Sequence, residues 1–229
     1  VLADIQITKG CLHEAMTTYE RGLQWATREG APLLQGAADM HVGMSTLLYE
    51  RNDLAAAMQQ LLRSKALGEH IGLPQNQYRW CVAMARMREV EGDLDGALNL
   101  FNEAERRYVS DYFPNVRPIA ALKVRVWIAQ GRLGEALDWA RERELSSADD
   151  LSYLREFEHI TFARVLLAGT HGDRANDAFL EGIGLLKRLL QAAEDGQRTG
   201  SIIEILVLQA LAHQTEGDLP AALAKLKRA

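Results

Sequence analysis

The chain has few of the residues that staple or span. Of 229 residues only two are cysteine, Cys11 and Cys81, and no Cys-x-x-Cys occurs. That excludes a multi-disulfide framework and a cysteine zinc knuckle, and both thiols are expected to be buried and reduced. A basic excess is missing too: the net charge is −5, so no overall positive field draws the chain to nucleic acid. The longest apolar run, "IIEILVLQALA" at 202–212, is broken by Glu204 and Gln209 and is too short to span a bilayer. No secretory leader pattern is visible. These absences read as a soluble, cytoplasmic protein without membrane contact. Sustained period-two alternation is absent, and no Asn-Gly or Asp-Gly pair joins two alternating segments, so strands are not expected. GxxxxGK[ST], HExxH and GxSxG are also missing, which leaves no phosphate cradle, zinc-protease helix or nucleophile elbow. The chain is therefore not expected to be an enzyme, and no cofactor is expected in this segment.

A phrase that returns is present instead. Gly10, Leu12, Ala15 and Tyr19 form one copy; Asn52, Leu54, Ala57 and Leu61 a second; Gly92, Leu94, Ala97 and Phe101 a third. Gly131, Leu133 and Ala136 follow, then Gly217, Leu219 and Ala222. The spacings are 42, 40, 39 and 86 residues, the last equal to two periods, with a degraded copy near Gly172 in "HGDRANDAFL". A period of this size marks a helical-repeat array.

Each unit reads as two helices. The glycine permits the left-handed residue that closes the first helix. Asp53, Asp93 and Asp218 follow as N-caps of the second. The recurrent alanine is small because two helices approach there, and the aromatic four residues on fills the gap against the next unit. Gly30 with Pro32 and Gly72 with Pro74 end the first two units, and segments 113–118, 146–150 and 196–201 mark later boundaries. Ser201 and Glu204 have capping-box spacing. The expected fold is all-α: one domain over 1–229, about five and a half helix pairs with a period of 39–45 residues, wound into a right-handed superhelix with a concave face. Because the sequence opens in an apolar segment and stops within a helix, it reads as a piece of a longer polypeptide.

"EGDLDGALNLFNEA" at 91–104 resembles the tetratricopeptide repeat at its glycine, alanine and aromatic positions. The small residue seven places before the glycine is present as Ala3, Ser45, Ala85 and Ala210. The period exceeds the usual repeat of about 34 residues, and the long-helix subclass it is similar to is the repeat region of MalT-like regulators, the large ATP-binding members of the LuxR family. The stretches carrying that resemblance lie at 72–98, 113–143, 150–168 and 206–229. It implies a repeat domain that receives a small-molecule inducer or a regulatory protein, with self-association possible. It also implies an N-terminal switch that binds ATP and a C-terminal helix-turn-helix that binds DNA, both absent from this chain. The other reading is a stand-alone scaffold that captures a peptide or protein in its groove.

In tetratricopeptide folds the groove is lined by the first helix of each pair. Counting back six and thirteen residues from each repeat turn places Thr46, Arg86 and Arg125, and Asp39, Arg79, His159 and Glu204, along it. Arg79, Arg86 and Arg125 are expected to converge, with Tyr49 and Phe162 as stacking faces. Guanidinium forks suit a carboxylate, a phosphate or a polar sugar-like ligand. The same arginines can equally be solvated and paired with Glu50 and Glu89. Glu156 and His159 have the i, i+3 spacing of a di-iron ligand pair, but such a site needs a second copy. Otherwise Glu156 and Glu158 face solvent or a neighbouring repeat, and His159 lines the groove. Trp25, Trp80, Trp127 and Trp139 read as core, and Met84 and Met87 as gap-fillers. Gly182 and Gly184 lie inside a helical stretch and mark either a bend or close helix packing.

Overall fold

The computed structural model describes residues 2–26, 36–71, 73–110, 114–169 and 175–229. Among them every regular element is helical. Twelve α-helices follow one another: α1 (Leu2–Thr8), α2 (Leu12–Ala26), α3 (Ala37–Glu50), α4 (Leu54–Ile71), α5 (Asn76–Val90), α6 (Leu94–Arg106), α7 (Ile119–Ala129), α8 (Leu133–Glu142), α9 (Glu156–Ala168), α10 (Ala175–Asp195), α11 (Thr199–Thr215) and α12 (Leu219–Arg228). They form six consecutive pairs, opening on a seven-residue helix. The chain divides into two compact units: Val1–Ile7 with Cys11–Phe113, and Thr8–Gly10 with Pro114–Ala229.

The repeat phrase builds the same turn each time. Gly10, Asn52, Gly92, Gly131 and Gly217 have φ of +79°, +59°, +80°, +74° and +80°. After Gly92 the Asp93 N–H reaches back to the Arg88 carbonyl at 2.9 Å, and Asp53, Arg132 and Asp218 repeat that bond to Leu48, Trp127 and His213. The aspartates then cap the second helix: Asp53 accepts from the Ala56 N–H, Asp93 from Gly96 and Asp218 from Ala221, at 2.9–3.1 Å. A Cβ at Gly92 would meet nothing within 4 Å, so only the backbone angle demands glycine there. Gly92→Ala should therefore cost about 1 kcal/mol, and Asn52→Gly should gain up to about 1 kcal/mol. Chemical denaturation of the two variants checks both signs. The degraded copy at Gly172, and the stops at Gly30, Pro32 and Gly72, lie outside the described residues.

The recurrent alanines are the points of closest approach. Ala15, Ala57, Ala97 and Ala136 are fully buried and Ala222 nearly so. In the first unit Ala15, Met16, Met44 and Leu47 pack together, as do Ala57, Leu61, Met84 and Met87. The Tyr19 ring lies where a Cβ on Gly43 would come within 2.3 Å of it, so only glycine admits that ring. The second unit's core centres on α9, whose Phe157, Ile160 and Ala163 meet Leu185, Leu186 and Leu189 of α10 and Ile205 and Leu206 of α11. Gly182 sits in an unbroken α10, and its absent Cβ would lie 3.2 Å from that of Leu166. Close packing, rather than a bend, is what it serves.

Three expectations are corrected. Trp80, Trp127 and Trp139 pack on or in a core, but Trp25 is 69% exposed, because α2 buries Ala15, Met16 and Ala26, with Tyr19 and Leu23 half-buried, and Trp25 falls off that stripe. Ser201 caps nothing: α11 already begins at Thr199, and the Ser201 hydroxyl donates to Glu156 Oε1 at 2.6 Å. Cys81 is buried, which pushes its thiol pKa up, whereas Cys11 is only half-buried.

Candidate functional site

The polar residues of the first helices pair at one-repeat spacing. Residues about 40 positions apart occupy equivalent places on successive first helices, so their side chains meet. Asp39 of α3 accepts from Arg79 of α5 at 3.0 Å, 40 residues on. Arg86 donates to Glu50 at 2.9 Å and lies over the Tyr49 ring, 4.2 Å from its centroid. Thr46 donates to the Val42 carbonyl of its own helix at 3.2 Å. Burial raises the Tyr49 pKa more than the neighbouring guanidinium lowers it. The space enclosed by Thr46, Tyr49 and Arg86 is about 10 Å³. That admits about one water molecule and no organic ligand. The two arginines expected in the first unit's groove are thus matched: Arg79 by Asp39 and Arg86 by Glu50.

In the second unit the charges do not balance. Arg125 of α7, Arg164 of α9 and Glu204 of α11 follow one another at 39 and 40 residues. Arg125 Nη2 lies 2.8 Å from Glu204 Oε1, and Arg164 donates to the same oxygen through Nη2 at 3.0 Å and Nε at 3.3 Å. Arg125 Nε donates to the Thr161 hydroxyl at 3.0 Å, and its guanidinium stacks 3.8 Å from the Phe157 ring centroid. Arg117 also approaches that ring, 5.5 Å from its centroid. Burial, helped by Arg164 and Arg117, pulls the Arg125 pKa down to about 10, which still leaves it cationic at neutral pH. Burial would raise the Glu204 carboxyl, but Arg125, Arg164 and Arg117 together hold it below the usual carboxylate range. Two guanidiniums share one carboxylate and Arg117 adds its field, so the cluster carries surplus positive charge on an aromatic platform. This is an arrangement for holding an additional anionic or strongly polar group.

The "REFEHI" segment behind it is structural. Glu156 and Glu158 are 6% and 2% exposed, so neither faces solvent. Glu156 accepts from Arg198 at 2.5 and 2.8 Å and from Ser201, both in the next repeat. Glu158 accepts from Arg143 at 2.6 Å and from Arg155 at 3.3 Å. His159 and Phe162, expected in the groove, are corrected. His159 is fully buried, with its ring nitrogens 3.0 Å from the Arg155 carbonyl and from Asp149 Oδ2, and Phe162 is 7% exposed in the α9 core. All eight residues from Glu156 to Ala163 are buried, so every face of α9 meets a neighbour there. The hydrogen bond from His159, seconded by the Ser146 N–H, holds the Asp149 carboxyl low. Among the described residues no cluster of His, Cys, Asp or Glu has a metal-holding arrangement.

Paired helices closed by recurring left-handed residues, with partners handed from one repeat to the next, are what a repeat family model can recognise. One such model, the MalT-like TPR region, matches residues 1–229. The chain belongs to that family. No curated protein matches the chain. Within this MalT-like region, counting from the repeat turns located Arg79, Arg86, Arg125 and Glu204, but missed Arg164. It sits two residues before the counted position, because the sequence after α9 departs from the repeat phrase that sets the count. The residue spacing to Glu204, 40 positions, was the signal that could have found it. Arg79 and Arg86 belong to the first unit and Arg125 to the second, and each cluster stands by its own geometry.

Proposed function

We propose that this MalT-like TPR region is the effector-sensing domain of a transcription regulator of the MalT-like LuxR family, and that the Arg125–Arg164–Arg117 cluster receives an anionic or strongly polar part of the effector. The observation that carries the reading is the shared carboxylate: Glu204 neutralises only part of the charge converging on it. An incoming carboxylate or phosphate finds forked donors already desolvated and oriented, with Phe157 beneath them. Ligand bound between α7, α9 and α11 would hold three successive repeats in one arrangement. It shifts a conformational equilibrium only by its difference in affinity for the two states.

Membership of the family supports the rest of the proposal. The domain works without a cofactor or catalysis of its own, in the cytoplasm, and passes its state to an ATP-binding switch and a DNA-binding module elsewhere in a longer polypeptide. A regulatory protein is the other effector this role admits, and self-association is compatible with it.

A thermal-shift panel of sugars, sugar phosphates, aromatic acids and nucleotides tests the proposal. One class should raise the melting temperature, since ligand at 100 times its Kd stabilises by about 2.7 kcal/mol. The shift should vanish in Arg125→Ala/Arg164→Ala. A flat panel would favour protein partners, and a shift surviving the double substitution would remove the cluster as the site.

A further inference from the structure

A separate opening lies between α10, α11 and α12, within the second unit. Its volume is about 370 Å³. Small-molecule sites typically occupy about 300–1,000 Å³, whereas the space beside Arg86 is far below that. One wall is a single stripe of α10: Ile183, Lys187, Leu190 and Glu194, at helical spacing. Gln209 and His213 of α11 form the back, and Lys225 and Arg228 of α12 the rim.

Two independent features point to a ligand. The first is charge. Arg228 pairs with Glu194, but Lys187 and Lys225 have no carboxylate partner among the described residues. Two lysines without a carboxylate partner line one opening in a chain whose net charge is −5, while the His213 ring beside them lies 3.5 Å from Glu216. The second is an unmet acceptor. Gln209 is 7% exposed, and its carboxamide oxygen has no hydrogen-bond partner. A buried acceptor left unmade costs about 1–3 kcal/mol. A neutral apolar occupant would leave it so, while a ligand N–H or O–H would satisfy it once the carboxamide, whose oxygen lies beneath the groove surface, turns toward the opening. Ile183 and Leu190 supply the apolar contact between the charged rim and that acceptor.

We propose that this groove binds a small organic anion: a carboxylate or phosphate held by Lys187 and Lys225, on a body that donates a hydrogen bond to Gln209. The site is distinct from the Arg125 cluster and does not depend on it. Calorimetric titration of the whole chain tests it with two anions, indole-3-acetate and glucose 6-phosphate, each beside its neutral counterpart, indole-3-ethanol and glucose. At least one anion should bind with Kd below about 1 mM and its neutral counterpart should not. Which anion binds decides between carboxylate and phosphate. Lys187→Gln/Lys225→Gln should weaken binding about tenfold or more, and Gln209→Met by a similar factor, with unchanged melting temperatures excluding misfolding. Binding should persist in Arg125→Ala/Arg164→Ala. The proposal is overturned if neither anion binds, if the groove variants bind as tightly as the parent, or if binding follows the arginine variants instead.

Discussion

Phe101→Ala is expected to lower the unfolding free energy by about 4 kcal/mol, the middle of the range for deleting a core aromatic. Phe101 is completely buried on α6, four residues beyond the equally buried Ala97 and three before Ala104. It is the largest of the fully buried side chains among the described residues. The cost has two parts: the transfer of the ring to water in the unfolded chain, and a cavity between helices whose backbones are held close by flanking alanines. Those alanines cannot lean in to fill it. Phe101→Leu should cost less than half as much, because most of the volume remains. Urea unfolding followed by far-ultraviolet circular dichroism measures both. A loss under about 1 kcal/mol for the alanine variant would mean that the ring does not pack as described.

Arg198→Met should destabilise by about 3 kcal/mol, the cost of stranding a buried carboxylate. Methionine keeps the apolar stem, so packing changes little, but the Glu156 carboxylate at 6% exposure would retain only the Ser201 hydroxyl. The guanidinium also donates to the Ala192 carbonyl, which keeps its bond from the Gly196 N–H, so the loss falls mainly on Glu156. Adding Glu156→Gln should recover much of the loss, because a neutral amide no longer needs a counterion. The double-mutant cycle on urea midpoints therefore reads the pair directly. Equal destabilisation of the single and double variants would show that the charge on Glu156 is not the reason for the loss. The contrast is Glu158, whose partners Arg143 and Arg155 are 49% and 41% exposed. Removing either should cost much less, since water and the other arginine remain.

How much was legible differs with the range of the interaction. Turn and cap residues act on backbone atoms within five positions, so Gly92 and Asp93 announce their roles in any reading of the sequence. Asn52 is readable for the same reason: it is the residue other than glycine that best tolerates the left-handed region. The alanine and aromatic positions are legible because a repeat must present the same face to each neighbour. His159 and Phe162 were misplaced in the groove because counting assumes one exposed face per first helix, whereas α9 is enclosed from Glu156 to Ala163. Trp25 was misplaced because an apolar neighbourhood in sequence does not say which side of α2 a residue takes.

The helical class, the repeat turns, the aspartate caps and the buried small residues are written in the order of amino acids, since each follows from local geometry that the next repeat copies. Packing in three dimensions chose which arginine meets which acid. It matched Arg79 with Asp39 and Arg86 with Glu50, set Arg125 and Arg164 on Glu204, buried Glu156 beneath Arg198, and lined an opening with Gln209 and two lysines. The physical reason is reach. A long charged side chain samples several partners on the adjacent helix, and burial, which varies from repeat to repeat, sets which pairing is favourable.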